Sequence, residues 1–260
     1  MSPDGELGVS DFGISVGGPP VPPAAPAGPD PRFELAAAVR RVTSAMVGLP
    51  VADADIEAAT EAVRAVAEAL EAAATPGRRP RAQPDPVGHP QDFFPTSPVI
   101  GFANPVAPPV VVEAVEGALA GEAWFDWQYE GPPTCVHGGV IAMVFDEMLG
   151  AANIMAGRPA MTGTLTIRYR KPTPLRTPLR LEARFVERDG RKVRTVGAIY
   201  HDDTLLAEAE GLFIELPPER FLSIVTGNAD DPEALEQVRA DARRLGFADG
   251  GPGDGRADPA

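Results

Sequence analysis

The sequence predicts an α+β domain in which one long buried helix is wrapped by a curved antiparallel sheet of about six strands, preceded by a helical extension. Three observations predict it. The segment Gly139 to Ala156 is apolar nearly all round, the composition of a helix covered on most sides. Two β-like segments precede it and four follow it, set apart by short polar turns. Proline-rich stretches separate this region from an N-terminal part whose apolar residues recur at helical spacing.

The elements justify themselves in chain order. From Met1 to Pro31 there are eight prolines and one aromatic, Phe12, so residues 1–31 hold too little apolar surface to offset the entropy of ordering them. Residues 32–75 read as a helical hairpin. Leu35, Val39, Val42 and Met46 mark its first helix, Phe33 to Gly48. Ile56, Ala59, Val63, Val66 and Leu70 mark the second, Asp53 to Ala74, with Asp53 or Asp55 as N-cap. The expectation is an αα-hairpin that docks on something larger, as a packing or dimerisation arm. Residues 76–96 form a linker kept irregular by Pro76, Pro80, Pro84, Pro86, Pro90 and Pro95.

The β-rich domain is expected over residues 97–222. Val110 to Val115 and Glu122 to Tyr129 read as strands before the central helix. Ala160 to Arg170, Leu179 to Arg188, Lys192 to His201 and Thr204 to Leu216 read as an antiparallel meander after it. Asp189-Gly190 is a strong hairpin signal, and Asp202-Asp203 a weaker one. The tail, residues 223–260, holds one short helix, Asp231 to Arg244. One helix enclosed by a curved antiparallel sheet is the layout of a hotdog fold.

Charge and cysteine usage narrow the function. A formal charge of −14 argues against nucleic-acid binding as the main role. The single Cys135 excludes an internal disulfide and a thiolate zinc site. Three scattered histidines make no ligand cluster, so no metal is expected. Met1 to Val16 lacks a secretory pattern, and no apolar run of about 18 residues is present, so the expectation is a cytoplasmic protein with no membrane segment.

Chemistry concentrates in Cys135-Val-His-Gly-Gly-Val-Ile-Ala-Met-Val-Phe-Asp146. His137-Gly138-Gly139 closes a loop and opens the central helix. Its glycines allow a ligand close to the backbone and leave N–H groups at a helix N-terminus, where they can hydrogen-bond a carbonyl oxygen gaining negative charge. Asp146 lies seven residues after Gly139, which returns it to about the same face some 10 Å further along. A carboxylate following an apolar run is costly to bury unless it has a partner or a chemical role. A cysteine-nucleophile arrangement of Cys135 with His137 is set aside, because no third group orients it.

These residues resemble the signature of the hotdog thioesterase superfamily, in particular its phenylacetate-pathway and thioesterase-superfamily-member groups. The similarity runs from about Ser97 to Leu216. It includes Met161-Thr162, Tyr169-Arg170-Lys171-Pro172-Thr173-Pro174, Gly190-Arg191-Lys192 and Ala207-Glu208-Ala209-Glu210. The resemblance implies hydrolysis of an acyl-CoA thioester, with no cofactor and with water as co-substrate. Asp146 matches the catalytic carboxylate, as general base or nucleophile. Gly139 matches the oxyanion donor, His137 the motif histidine, and Thr162 a polar residue that reaches the site from the partner subunit. The resemblance further implies a homodimer or dimer of dimers, with sheets joined edge to edge and two sites at the interface. Arg168, Arg170 and Lys171, with Arg191 and Lys192, are candidate contacts for the CoA phosphates. Thr164 and Gly138 are further substrate-contact candidates. A hotdog protein that binds acyl-CoA without turnover is the alternative.

Overall fold

A computed structural model gives the fold and describes residues 30–75, 95–115, 118–156 and 160–216, together with residues 236 and 240. In chain order it contains α1 (Pro31–Gly48), α2 (Asp53–Ala73), β1 (Val110–Val115), β2 (Ala118–Ala123), a short 3-10 turn (Trp127–Tyr129), α3 (Gly138–Met155), β3 (Ala160–Tyr169), β4 (Leu179–Asp189), β5 (Lys192–His201) and β6 (Thr204–Glu215). The strands form one antiparallel sheet in the order β1-β2-β4-β5-β6-β3, with α3 against one face. This is the hotdog arrangement.

The sheet has a floor shaped for the helix. Ile141, Val144, Phe145, Met148, Leu149 and Ala152 recur at steps of three and four and are all buried. Opposite them lie Leu179, Leu181 and Ala183 of β4, Val193 and Ile199 of β5, and Ala207, Ala209 and Phe213 of β6. Gly197 and Gly211 let the helix come close: a Cβ on Gly197 would stand 3.1 Å from Leu149, and one on Gly211 would stand 3.1 Å from Leu149 and 2.3 Å from the Phe213 ring. By length and composition α3 is apolar enough to cross a membrane, but much of that apolar surface lies against the sheet.

Several boundaries differ from expectation. The second strand is Ala118–Ala123, not Glu122 to Tyr129. Trp124, Phe125 and Tyr129 instead turn into the core, and the Tyr129 hydroxyl donates to the Val106 carbonyl at 3.0 Å. Burial pushes the Tyr129 pKa up to about 12, which keeps this donor protonated. The segment that follows the expected linker packs on the domain. Val99, Ile100 and Phe102 are buried, and the Ala103 N–H donates to the Pro95 carbonyl. Helix α1 begins inside the segment read as unstructured, because Asp30 caps it and Pro31 occupies its first turn. In the β4–β5 hairpin Asp189 pairs with Lys192, so Gly190-Arg191 forms the loop, with Gly190 at φ +55°. Residues 1–29, 76–94 and most of the tail with its expected helix lie outside the described residues.

The N-terminal helices behave differently from each other. Helix α1 docks on the domain through Ala36, Arg40 and Ser44, with Arg40 donating to the Asn104 carbonyl at 2.9 Å and Phe33 6.0 Å from Phe102. Its last residue, Gly48, sits so close to Trp127 that a Cβ would overlap the indole. Helix α2 has no buried residue, so the expected hairpin contact between the two helices is not made within the chain.

On the outer face of the sheet Arg180 and Glu182 form a buried ion pair, with the Arg180 guanidinium 4.3 Å from the Tyr200 ring centroid. Removing one partner of such a pair strands the other charge in a poorly solvated place. We therefore expect Glu182→Ala to lower the unfolding free energy by about 3–5 kcal/mol, while Arg180→Met/Glu182→Met loses much less. Urea denaturation of the two variants checks this.

Candidate functional site

The segment leading into α3 is pinned on two sides. The Val136 N–H donates to the Thr173 carbonyl at 2.8 Å, and the His137 N–H to the Tyr129 carbonyl at 2.9 Å. The Leu175 N–H reaches back to the Thr134 carbonyl at 3.0 Å. Gly131 lies directly under His137, where a Cβ would come within 2.7 Å of the His137 Cα. The histidine backbone is therefore placed by packing as well as by hydrogen bonds.

His137 is the N-cap of α3, and its Nδ1 accepts the Gly139 N–H at 3.0 Å. The Gly139 N–H, expected as the oxyanion donor, is thus already engaged by the ring of the preceding histidine. A neutral His137 accepting at Nδ1 carries its proton on Nε2. The Gly138 N–H, at the first helical position, makes no hydrogen bond among the described residues, so it is the donor that α3 leaves unspent. Gly138 is held from the other side, since the Tyr169 hydroxyl donates to its carbonyl at 2.9 Å.

Two turns further along α3, the Thr162 hydroxyl donates to Asp146 Oδ1 at 2.7 Å. This bond lies within one chain, whereas the resemblance implied a residue reaching from a partner. A β-bulge makes the contact possible. Thr162 pairs with Phe213, but Thr164 pairs with Leu212, so the register shifts at Gly163. Thr162 is thereby turned towards α3 while Thr164 stays exposed with Thr166 and Arg168. An isolated glycine within a strand pattern was the available signal for this bulge.

Asp146 is exposed in the chain, and the desolvated carboxylate is its neighbour Glu147. One residue on an α-helix turns about 100°, which carries Glu147 away from the β3 edge and under the segment from Pro95 to Asn104. There the Ser97 hydroxyl donates to Glu147 at 3.3 Å and accepts the Val99 N–H at 3.1 Å. Burial raises the Glu147 pKa; the Ser97 bond lowers it and the nearby Asp146 charge raises it further.

The candidate phosphate contacts fall into two groups. Arg168 and Arg170 both pair with Glu208, at 3.7 and 2.6 Å. The Arg191 guanidinium donates to the Glu215 carbonyl at 3.0 Å. Arg170 and Lys171 follow the end of β3, near Tyr169 and Gly138. Arg191 and Lys192 lie at the other end of the sheet, where Ile214 pairs with both Lys192 and Met161. Thus Asp146 and Thr162 share one end of the β3 edge with Arg191 and Lys192, while His137, Gly138 and Tyr169 share the other with Lys171. Among the described residues no group of three or more His, Cys, Asp or Glu is placed to hold a metal ion.

Residues 134–208, which carry both halves of this arrangement, match the family model described as thioesterase superfamily. A thioesterase superfamily protein of known crystal structure is 34% identical, with a TM-score of 0.66 over 74% of this chain and 94% of that one. The chain belongs to the thioesterase superfamily. The structural likeness extends beyond residues 95–216, which make up less than half of the chain. Among curated members, acyl-coenzyme A thioesterase THEM4 of Xenopus laevis is 41% identical over 91 residues, 34% of this chain and 41% of that protein. The protein of the same description from Mus musculus is 40% identical over 96 residues, 36% of this chain and 41% of that protein. The chain thus spans about two fifths of the length of these curated relatives.

The raised Glu147 pKa has a consequence for stability with a definite sign. A carboxyl whose folded pKa exceeds its unfolded value binds more protons when folded, so it weakens the fold as pH rises above the unfolded value, ordinarily 4.5. Glu147→Gln should therefore raise the melting temperature at pH 7, with the gain over wild type shrinking as pH falls towards 4. Thermal melts across this range measure it.

Proposed function

We propose that this thioesterase-superfamily chain hydrolyses acyl-CoA thioesters to the free acid and coenzyme A. The observation that carries the proposal is the pairing of a carboxylate held by a hydroxyl, Asp146 with Thr162, and an unspent N–H at a helix N-terminus, Gly138 beside His137. The relatives described as acyl-coenzyme A thioesterases support the same substrate class.

Asp146 acts as general base, taking a proton from water as the water oxygen bonds to the thioester carbon. Negative charge gathers on the carbonyl oxygen, where the Gly138 N–H and the positive end of α3 stabilise it. The tetrahedral species then breaks its C–S bond, and the thiolate of CoA leaves and takes up a proton. Direct attack by Asp146 on the carbonyl would use the same positions through an anhydride that water cleaves. No metal or cofactor is required in either route.

The two halves of this machinery are too far apart in one chain. Eight residues of helix separate Gly138 from Asp146, about 12 Å of rise. The oxyanion donor and the base must both come within ~3 Å of the reacting groups. The site is therefore completed by a second copy. β3 is an edge strand with exposed Met161 and Tyr169, a surface suited to pairing with its own copy. Antiparallel pairing of two β3 edges sets the Asp146 end of one copy beside the Gly138 end of the other. It also brings Arg191 and Lys192 of one copy towards Arg170 and Lys171 of the next, gathering cations for the phosphates of CoA.

Thiol release from short, medium, long and aromatic acyl-CoAs tests the proposal. Asp146→Asn should lower kcat at least ~100-fold, the scale of a lost general base. Gly138→Pro removes one N–H at a position that tolerates proline, and should lower kcat by about 100- to 1000-fold with little change in stability. Absence of turnover by the wild type on every substrate, with binding retained, would move the assignment to a non-catalytic acyl-CoA binder.

A further inference from the structure

Most of the exposed large apolar side chains among the described residues lie on the two N-terminal helices. On α1 these are Leu35, Val39, Val42, Met46 and Val47, with Leu49 beyond its end, and on α2 they are Ile56, Val63, Val66 and Leu70. Apart from Val47, both sets follow a heptad pattern. Leu35, Val39, Val42, Met46 and Leu49 alternate steps of four and three, as do Ile56, Ala59, Val63, Val66 and Leu70. Alanines flank each seam: Ala38 and Ala45 on α1, and Ala62, Ala67 and Ala69 on α2. Such flanks permit a close helix–helix approach. Helices in proteins draw most of their stability from packing an apolar face, and α2 buries none of its own, so α2 is built to be covered.

The connection between the helices argues against cover from within the chain. Leu49 is extended at φ −119°, ψ 140°, as a residue before proline must be, and Ala52 is extended at φ −71°, ψ 148°. No residue from Leu49 to Ala52 has the positive φ that a tight reversal uses. Every residue of α2 is exposed, and so is the seam of α1, so α2 does not cover its own α1.

Charge selects the occupant. α2 carries Asp53, Asp55, Glu57, Glu61, Glu68 and Glu71 against Arg64, a net −5. On α1, Arg32 is paired with Asp30 and Arg40 is turned into its own domain, which leaves Glu34 and Arg41 to cancel on the exposed side. Two α2 helices side by side would repel each other, while the neutral exposed face of α1 does not repel α2. We propose that α2 of each copy crosses to a second copy of this chain and covers its α1 seam, an exchange of arms that joins two copies through a small helical bundle. Since α1 is docked on its own domain through Ala36, Arg40 and Ser44, the exchanged arm ties the partner directly to the hotdog domain. This contact is separate from the β3 edge invoked for catalysis and does not depend on the reaction assigned above.

Cysteine cross-linking of the full chain tests the exchange. Val42 and Val63 are the middle residues of the two seams, so they lie at equivalent heights in antiparallel pairing. Chains carrying only Val42→Cys are mixed with isotopically labelled chains carrying only Val63→Cys, unfolded and refolded together, and oxidised. A disulfide between positions 42 and 63 joining a labelled to an unlabelled chain, identified by peptide mass, is the expected result. In the Val42→Cys/Val63→Cys double variant the same bond should give a covalent dimer. An intrachain bond in the double variant would overturn the exchange in favour of a fold-back hairpin. Cross-links only between two Val63→Cys chains would overturn it in favour of α2 pairing with itself. No cross-link in any mixture, with Val63→Glu/Val66→Glu sedimenting and melting as wild type does, would overturn it outright.

Discussion

The seating of α3 on the inner face of the sheet sets the position of everything the site uses. Phe145 and Leu149 rest over Gly197 and Gly211, where larger residues would meet the helix or the Phe213 ring. With those contacts fixed, the helix cannot slide or roll without opening a cavity, and loss of one buried aromatic alone costs about 3–5 kcal/mol. Its N-terminus is then held beside Tyr169 at one end of β3, and Asp146 beside Thr162 at the other. The apolar surface that stabilises the domain is thus also the ruler that spaces the chemical groups.

That spacing explains the polarity of the site. The N-terminal end of an 18-residue helix carries a partial positive charge and one unspent N–H, which suits an oxygen gaining negative charge. The carboxylate sits two turns away, accepts from a hydroxyl, and faces the exposed edge of the sheet. Glu147, one residue later, is turned under Ser97, where burial favours its neutral form. Two adjacent acids on one helix therefore have different environments, and only Asp146 is open to a ligand and to a second copy.

Periodicity and turn chemistry carried most of the fold. The all-round apolar character of α3, the four-strand meander and the Gly190 hairpin all stand close to where sequence patterns put them. The misplaced second strand had a specific cause: Trp124, Phe125 and Tyr129 have strong β propensity, but their bulk is spent filling the core beside a 3-10 turn. At the candidate site, residue type and offset did not disclose the hydrogen bonds that the motif residues make. Nothing in His-Gly-Gly says that the histidine ring caps Gly139 and leaves Gly138 free, because that depends on a side-chain rotamer. Thr162 meets Asp146 in its own chain only because Gly163 bulges. The solitary state of α2 was equally hidden, since an apolar stripe shows that a helix wants cover without naming what covers it.

Active-site complementation tests the central claim, that one copy supplies Gly138 and the other supplies Asp146, most directly. Gly138→Pro and Asp146→Asn chains, each inactive alone, are mixed in equal amounts, unfolded, refolded together and assayed for thiol release. A site shared between copies predicts that half of the dimers are hybrids with one intact site of two, restoring about a quarter of wild-type activity. Mixed dimers that form, as shown by labelled chains, yet stay as inactive as either parent would contradict it and place the whole reaction within a single chain.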